Sequence, residues 1–407
     1  MNPTKSKYTI LAQLCKYIPG HIVQSIAEKY GVDKKARSYS PWSHVVTMLY
    51  AQLAHSLSLN DVSDNLHAHA SALFCIRGAT PPSRNNLSHA NKFRDAAMAE
   101  ELFWKMMEHL QNKNASFGFY KKYSGLPKNF KRTIYAVDST VIELFAGCMS
   151  WAKHRRRKAA AKCHMSLNMQ TFLPQFAIIT SAASHDSTQA RALCNGLKSG
   201  EIVVFDRAYV DYKHLYDLDS REVFWVTRAK SSMNYKVMGQ HSEAKGNIHK
   251  DIRIRLKNKS SENSYPEEMR LIEATVIIDG KEKRMTFITN NFEWSAKSIC
   301  ELYKCRWGIE VFFKQIKQTL QLADFLGQSK NAIRWQIWTA LLTYLLVRFV
   351  SFVSTWTGSF SRLFTLLRGS MWSRYEIFAF AKIYGTAGGP PRTIGTPSAA
   401  YLPGLSP

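Results

Sequence analysis

Thr133-Ile134-Tyr135-Ala136-Val137-Asp138 is a short apolar run that stops on a carboxylate and passes into Ser139-Thr140. Residues of this type and number, bounded by polar positions, read as a β-strand. Glu201-Ile202-Val203-Val204-Phe205-Asp206 repeats the pattern and is followed by Arg207-Ala208-Tyr209. Side chains at the C-terminal ends of neighbouring strands converge on one point, and two carboxylates held there repel unless a cation joins them. Oxygen donors of this kind suit magnesium or manganese. Taken alone, a strand-end aspartate is equally a turn residue or a helix N-cap, so the pair needs a third element before it means chemistry.

The surrounding chain supplies a context. Its 407 residues suffice for two or three domains. Lys and Arg total 55 against 30 Asp and Glu, a formal net charge of +25, which draws polyanions, nucleic acid first and an anionic membrane second. The seven cysteines are scattered and never in C-x-x-C spacing, so neither a zinc site nor a disulfide framework is signalled and a reducing cytoplasm is expected. The N-terminus has no signal-peptide pattern. Trp335 to Val353 is nearly apolar and almost long enough to span a bilayer. Arg348 interrupts it and Gln336, Thr339 and Thr343 dilute it, so it reads as a buried core helix and no membrane partner is expected.

Organisation follows the periodicity. Residues 1–125 read as a helical N-terminal domain suited to binding DNA, with Asn85 to Arg94 a helix exposing polar and basic groups. Residues 126–229 and 293–384 read as an α/β core. Phe172 to Thr180 and the VFWVTRAK segment supply further strands. Residues 230–292 read as a β-rich insertion: Asp251 to Leu256 alternates, and Leu271 to Ile278, Asp279-Gly280 and Arg284 to Thr289 signal a hairpin. Residues 385–407, rich in Gly, Pro, Ser and Thr, read as a disordered tail.

The third element is Glu301 to Leu320, ELYKCRWGIEVFFKQIKQTL. Turned by about 100° per residue, it places Tyr303, Arg306, Trp307, Glu310, Lys314 and Lys317 on one narrow face and Leu302, Cys305, Ile309, Phe312, Phe313, Ile316 and Leu320 on the other. A broad apolar face beside a polar stripe is an amphipathic helix. A solvated stripe would explain Glu310 with Lys314 as an i,i+4 pair, but not Tyr303 and Trp307 exposed beside them. A stripe that meets DNA explains all of them, with cations for phosphates, an indole for stacking and one acid for metal.

The spacing Tyr303-x2-Arg306-x3-Glu310-x6-Lys317 resembles the Y-R-E-K signature of the insertion-sequence-four (IS-four) family of DDE transposases, and the similarity extends over most of the chain. The resemblance implies an α/β, ribonuclease-H-like catalytic core with a β-rich insertion, preceded by a helical N-terminal domain. It implies that Asp138, Asp206 and Glu310 bind two Mg2+ or Mn2+ ions and are catalytic, with the β insertion filling the long interval between Asp206 and Glu310. It implies that Tyr303, Arg306 and Lys317 hold phosphate near a transposon end, and that Trp307 steadies a displaced base. Its partners would be double-stranded DNA, as inverted-repeat ends and as target, with a dimer in the DNA complex. The expected activity is cleavage at element ends and strand transfer in a bacterial cytoplasm, on the nucleoid. A nuclease of the same fold and a catalytically inactive DNA-binding protein are the competing readings. The cationic run Lys153-His154-Arg155-Arg156-Arg157-Lys158, with Lys162, is expected to follow a DNA backbone. His185-Asp186, Arg207, Arg228 and Lys230 are not assigned to catalysis.

Overall fold

The computed structural model describes residues 4–32, 39–118, 130–144, 153–155, 158–181, 186–278, 281–320 and 326–384. The tail and residues Arg156 and Arg157 of the cationic run lie outside them, as do His185 and the hairpin's Asp279-Gly280. The side chains of Lys153, His154, Arg155 and Lys158 are likewise not described.

The first part of the chain is helical: α1 (Ile10–Lys16), α2 (Gly20–Lys29), α3 (Pro41–Ala54), α4 (Leu59–Ala68), α5 (Ala70–Phe74), α6 (Arg84–Phe93) and α7 (Ala97–Lys113). Hydroxyls close several N-termini, with Thr9, Ser40, Ser58 and Ser83 each accepting from the backbone N–H three residues on. Strands then begin: β1 (Ile134–Leu144), β2 (Lys153–Arg155), β3 (Lys158–Asn168) and β4 (Pro174–Ser181). They are followed by α8 (Asp186–Cys194), β5 (Ile202–Phe205), α9 (Tyr212–Ser220) and β6 (Phe224–Arg228). The β-rich segment holds β7 (Tyr235–Gln240), β8 (Ile248–Leu256), α10 (Lys259–Ser264), β9 (Met269–Ile278) and β10 (Lys281–Thr289). Helices close the chain: α11 (Ala296–Cys305), α12 (Trp307–Thr319), α13 (Lys330–Val353), α14 (Phe360–Gly369) and α15 (Ile377–Tyr384).

The central strands run in the order β4-β3-β1-β5-β6, with β3 antiparallel to both β4 and β1, and β5 and β6 parallel to β1. An antiparallel meander continued by two parallel strands, with helices on both faces, is the ribonuclease-H-like arrangement expected. The β-rich segment does not stand apart. β10 pairs with β6, and β9, β8 and β7 continue from it, so one sheet runs from the core through the segment. The expected hairpin is there, with Ile278 opposite Lys281.

Alternation assigns the two faces of the sheet. Ile134 and Ala136 of β1, with Ile202 and Val204 of β5, join a core shared with the N-terminal and C-terminal helices. Tyr135, Val137, Val203 and Phe205 point the other way, into a core closed by α8 and α9. Helix α13, the segment long and apolar enough to cross a membrane, is instead buried for most of its length, packed on α3, α6, α7 and α14. Its apolar composition answers to protein on every side.

One interaction in the β-rich segment is buried and ionic. Arg270 of β9 donates two hydrogen bonds of 2.7 Å to the carboxylate of Asp251 on β8, and both side chains are sealed from solvent. The same guanidinium donates to the carbonyls of Asn291 and Trp294, just ahead of α11. Burial pushes the Asp251 carboxyl up, but hydrogen bonds from Arg270 and Ser242 outweigh it and hold the group below the usual carboxylate range. Asp251 opens the alternating run of β8, and the facing arginine holds it inside.

Removing one partner of such a pair strands a buried charge, at a cost of about 3–5 kcal/mol. Arg270→Met is therefore expected to lower the urea unfolding free energy by about that amount, and Arg270→Met combined with Asp251→Leu to recover most of it. A single variant as stable as the parent would show that the pair is not closed in solution.

Candidate active site

The pairing of β1 with β5 sets the geometry. Ile134 stands opposite Ile202 and Val137 opposite Phe205, the last matched pair. Asp138 and Asp206 are the next residues on the two strands, at a spacing of about 4.8 Å between neighbouring chains. Both share the parity of Ala136 and Val204, so they face α11 and α12. Contrary to the sequence expectation, β1 does not end at Asp138. It continues to Leu144 in antiparallel pairing with β3, Asp138 lying opposite Met165. What ends there is the parallel pairing, because β5 stops at Phe205 and the chain turns through a 3₁₀ segment at Arg207–Tyr209.

The stripe on 301–320 is also corrected. It is two helices, α11 and α12, joined at Arg306. The apolar face is buried as expected. The polar stripe is not wholly outward: Tyr303 is 4% exposed and Arg306 8%. Tyr303 packs against Phe287 of β10 with ring centroids 5.0 Å apart and donates its hydroxyl to Asp206 Oδ1 at 3.3 Å. Arg306 Nη1 donates to Asp138 Oδ2 at 2.8 Å, and Nη2 pairs with Glu310 Oε1 at 2.7 Å. Glu310 thus pairs one turn back with Arg306, where the sequence had suggested Lys314.

Asp138, Asp206, Tyr303, Arg306 and Glu310 are therefore brought together. The side chain of Glu310 is half exposed, and Trp307 is 40% exposed. Lys317 lies farther along α12, where burial lowers its pKa and Glu143 opposes the shift. It makes no ion pair with the three carboxylates. Gly308 lets α12 press against the β3–β4 turn, since a Cβ there would sit 2.3 Å from Met169 Cε and 3.3 Å from Phe172 Cζ.

Sequence reasoning did not single out His164 and Tyr209. His164 of β3 is fully buried, with Nδ1 3.3 Å from the Tyr209 hydroxyl and Nε2 3.2 Å from Thr180 Oγ1. The Tyr209 amide donates to the Asp206 carbonyl at 3.0 Å, so the histidine buttresses the turn that carries Asp206. No spacing rule marks a lone histidine on a strand. Of the cations set aside earlier, Lys230 is engaged with the Val210 carbonyl at 2.8 Å, while Arg228 lies close enough to act on Tyr303.

The electrostatics record the crowding of like charges. Burial first, then the charges of Asp206 and Glu310, push Asp138 up to about 6, while Arg306 and the Ser139 amide oppose the shift. Burial disfavours the charge of Arg306, but Tyr303, Asp138 and Glu310 more than offset it and raise its pKa. Burial and Asp206 push Tyr303 up to about 12, against the pull of Arg306 and Arg228, so the phenol stays a hydrogen-bond donor. As a donor set, three carboxylates suit a hard divalent cation. Arg306 supplies the positive charge among them, and among the described residues no three acids form a ready-made metal cluster. A cation shared by all three requires Arg306 to release at least one carboxylate.

A ribonuclease-H-like sheet with two aspartates side by side where the β1–β5 pairing stops, met by a helix carrying a glutamate, fits the class of carboxylate-dependent phosphodiester enzymes. Comparison with known proteins gives the family. The transposase DDE domain matches residues 129–346, more than half the chain, and the chain belongs to that family: it is a DDE transposase. A domain of unknown function (DUF4372) matches residues 6–76. The chain is 29% identical over 306 residues to a Sinorhizobium fredii protein named as transposase y4zB, covering 74% of this chain and 81% of that one. It is 26% identical over 224 residues to a Geobacillus stearothermophilus protein named as a transposase for insertion sequence element IS5377, covering 54% and 57%. It is 23% identical over 274 residues to a Synechocystis protein named as a transposase for insertion sequence element IS4SA, covering 67% and 73%. The resemblance to insertion-sequence transposases read from the sequence holds.

Because the folded-state pKa of Asp138 lies above its ordinary 3.8, its protonated form favours folding. That contribution is complete below about pH 4 and is lost as pH rises through about 6. In metal-free buffer the parent protein is expected to lose about 2 kcal/mol more than Asp138→Asn between pH 4 and pH 7. Urea unfolding across that range reads the difference, and parallel profiles would refute the raised pKa.

Proposed function

We propose that Asp138, Asp206 and Glu310 are the catalytic carboxylates of this transposase, cutting DNA at the element's ends and joining those ends to target DNA. The observation that carries this reading is the gathering of the three acids by Arg306 and Tyr303 at the end of the β1–β5 pairing. The family's dependence on divalent ions fits the donor set, and we assign Asp138, Asp206 and Glu310 to hold two Mg2+ or Mn2+ ions. Such ions activate a water or 3′-hydroxyl and stabilise the leaving oxygen.

The remaining roles belong to the chain itself. Tyr303, Arg306 and Lys317 bind phosphate near the cut, the guanidinium offering a fork of donors and the others single contacts. Trp307, at the exposed edge of α12, offers a ring for a displaced base. The helical N-terminal part, followed by the core interrupted at 230–292, binds double-stranded DNA, and two copies pair on the two ends. The site of action is the cytoplasm, on nucleoid DNA.

The test uses a labelled duplex carrying the element's flanking ends, with magnesium or manganese. Glu310→Gln is expected to lower the cutting rate on the order of 10⁴-fold or more while end binding survives. Cutting that persists in the variant removes Glu310 from catalysis. A parent protein that binds the ends and never cuts is a DNA-binding protein, and one that cuts without joining ends to target is a nuclease.

A further inference from the structure

Helix α6 has a surface that the catalytic reading leaves unused. Leu87, Ala90 and Asn91 are buried, while Arg84, Asn85, Asn86, Ser88, His89, Lys92 and Phe93 are exposed. No acid occurs on the helix. Solvated helix faces ordinarily mix signs, as in the Lys105–Glu101 pair of α7 and the Arg221–Asp217 pair at the end of α9; α14 also lacks acids, but its exposed Arg368 is bonded to His55. On α6 the polar ends of Arg84, Asn85, Ser88 and Lys92 make no hydrogen bond or ion pair with any described residue. Asn85, Ser88, His89 and Lys92 fall at i, i+3, i+4 and i+7, a single stripe about 10 Å long. His89 leans on Phe93 with ring centroids 4.5 Å apart and the planes tilted by 40°, and that phenyl is 64% exposed. Neighbouring α4 carries exposed Asp61 and Asp64, so the acid-free surface is α6's own.

We infer that α6 is the sequence-reading element of this transposase, lying in the major groove of the duplex at the element's ends. This rests on the proposed action at those ends. The charge is complementary to phosphate. The side chains fit base edges: an amide for adenine, a hydroxyl and an imidazole for acceptors, and an exposed ring for a thymine methyl. Arg84 and Lys92, near opposite ends of the helix, reach the two flanking backbones.

The inner side of α6 fixes its aim. Asn91 Oδ1 lies 2.9 Å from His44 Nε2 on α3. Asn331, at the start of α13, donates to the carbonyls of Asn91 at 2.9 Å and Arg94 at 2.6 Å, and Trp335 Nε1 donates to Arg94 at 2.7 Å. These bonds satisfy carbonyls that a helix end leaves bare. The same α13 continues to Tyr344, whose hydroxyl donates to the Phe172 carbonyl at 2.9 Å, beside Gly308 of α12. The base pairs read by α6 and the phosphate at the carboxylates are thereby held at a set separation.

Selection from a random-sequence duplex library, followed by sequencing of bound DNA, tests this with the full-length chain. The parent is expected to enrich one motif. Asn85→Ala and His89→Ala should each lose preference at a few adjacent base pairs and bind the parent motif roughly 10- to 100-fold more weakly, with unchanged thermal unfolding. Lys92→Ala should weaken all sequences alike and lower the salt slope by about one. If all variants enrich the parent's motif at parental affinity, α6 does not read sequence, and the proposed function still stands. If the parent binds no DNA, both readings fall.

Discussion

Two aspartates on adjacent parallel strands, joined by a glutamate from a helix, constitute a like-charge cluster that a folded protein has to neutralise. Arg306 does so from a nearly buried position between Asp138 and Glu310. Tyr303 adds one donor to Asp206. The register of β1 on β5 would be of no use without this charge, since the Asp138 carboxyl, already raised by burial, would simply take up a proton. The clamp fixes where α11 and α12 lie against the sheet, and their apolar face seals the core beneath.

The position of that clamp is itself secured from a distance. Arg270 holds the chain just ahead of α11 through the Asn291 and Trp294 carbonyls, using a charge compensated by Asp251. From the other side α13 packs on the N-terminal helices and on α12. The N-terminal segment is also tied to the C-terminal helices, with Gln13 Nε2 donating to the Tyr375 carbonyl at 2.6 Å. The helical part and the sheet share one hydrophobic core, so a helix such as α6 is not a tethered accessory to the site.

Much of this was legible in the sequence wherever a short period carried the information. The strands around Asp138 and Asp206 announced themselves by composition, the 269–289 hairpin by its turn, and the 335–353 helix by polar interruptions that no lipid would favour. The end of β1 was not legible, because Asp-Ser-Thr is also good turn chemistry and only the antiparallel partner β3 decides that the strand continues. Helical periodicity correctly divided 301–320 into two faces and marked the apolar one as buried, but could not show that part of the polar one is covered as well. It took a polar stripe to be a wet one, whereas Tyr303 and Arg306 turn toward carboxylates that are distant in sequence. The pair Asp251–Arg270 was hidden for the same reason, since a local pattern cannot reveal a partner on another strand.

The wider charge distribution gives Arg306 its meaning. The chain carries a large positive excess, yet the centre assigned to phosphodiester chemistry is acidic, and a phosphate brought to it meets three carboxylates. Cations must therefore balance the centre whether or not DNA is present. In the metal-free protein Arg306 carries that balance, engaging two acids at once. A divalent cation drawn to the same oxygens would compete with it directly. Any carboxylate it takes over leaves part of the guanidinium fork without a partner, next to the place where a phosphate would lie, and an unpaired guanidinium is a strong phosphate donor. The residue that suppresses repulsion in the metal-free site is thus suited to binding phosphate once cations relieve it, and a lysine could not serve both uses with a single ammonium.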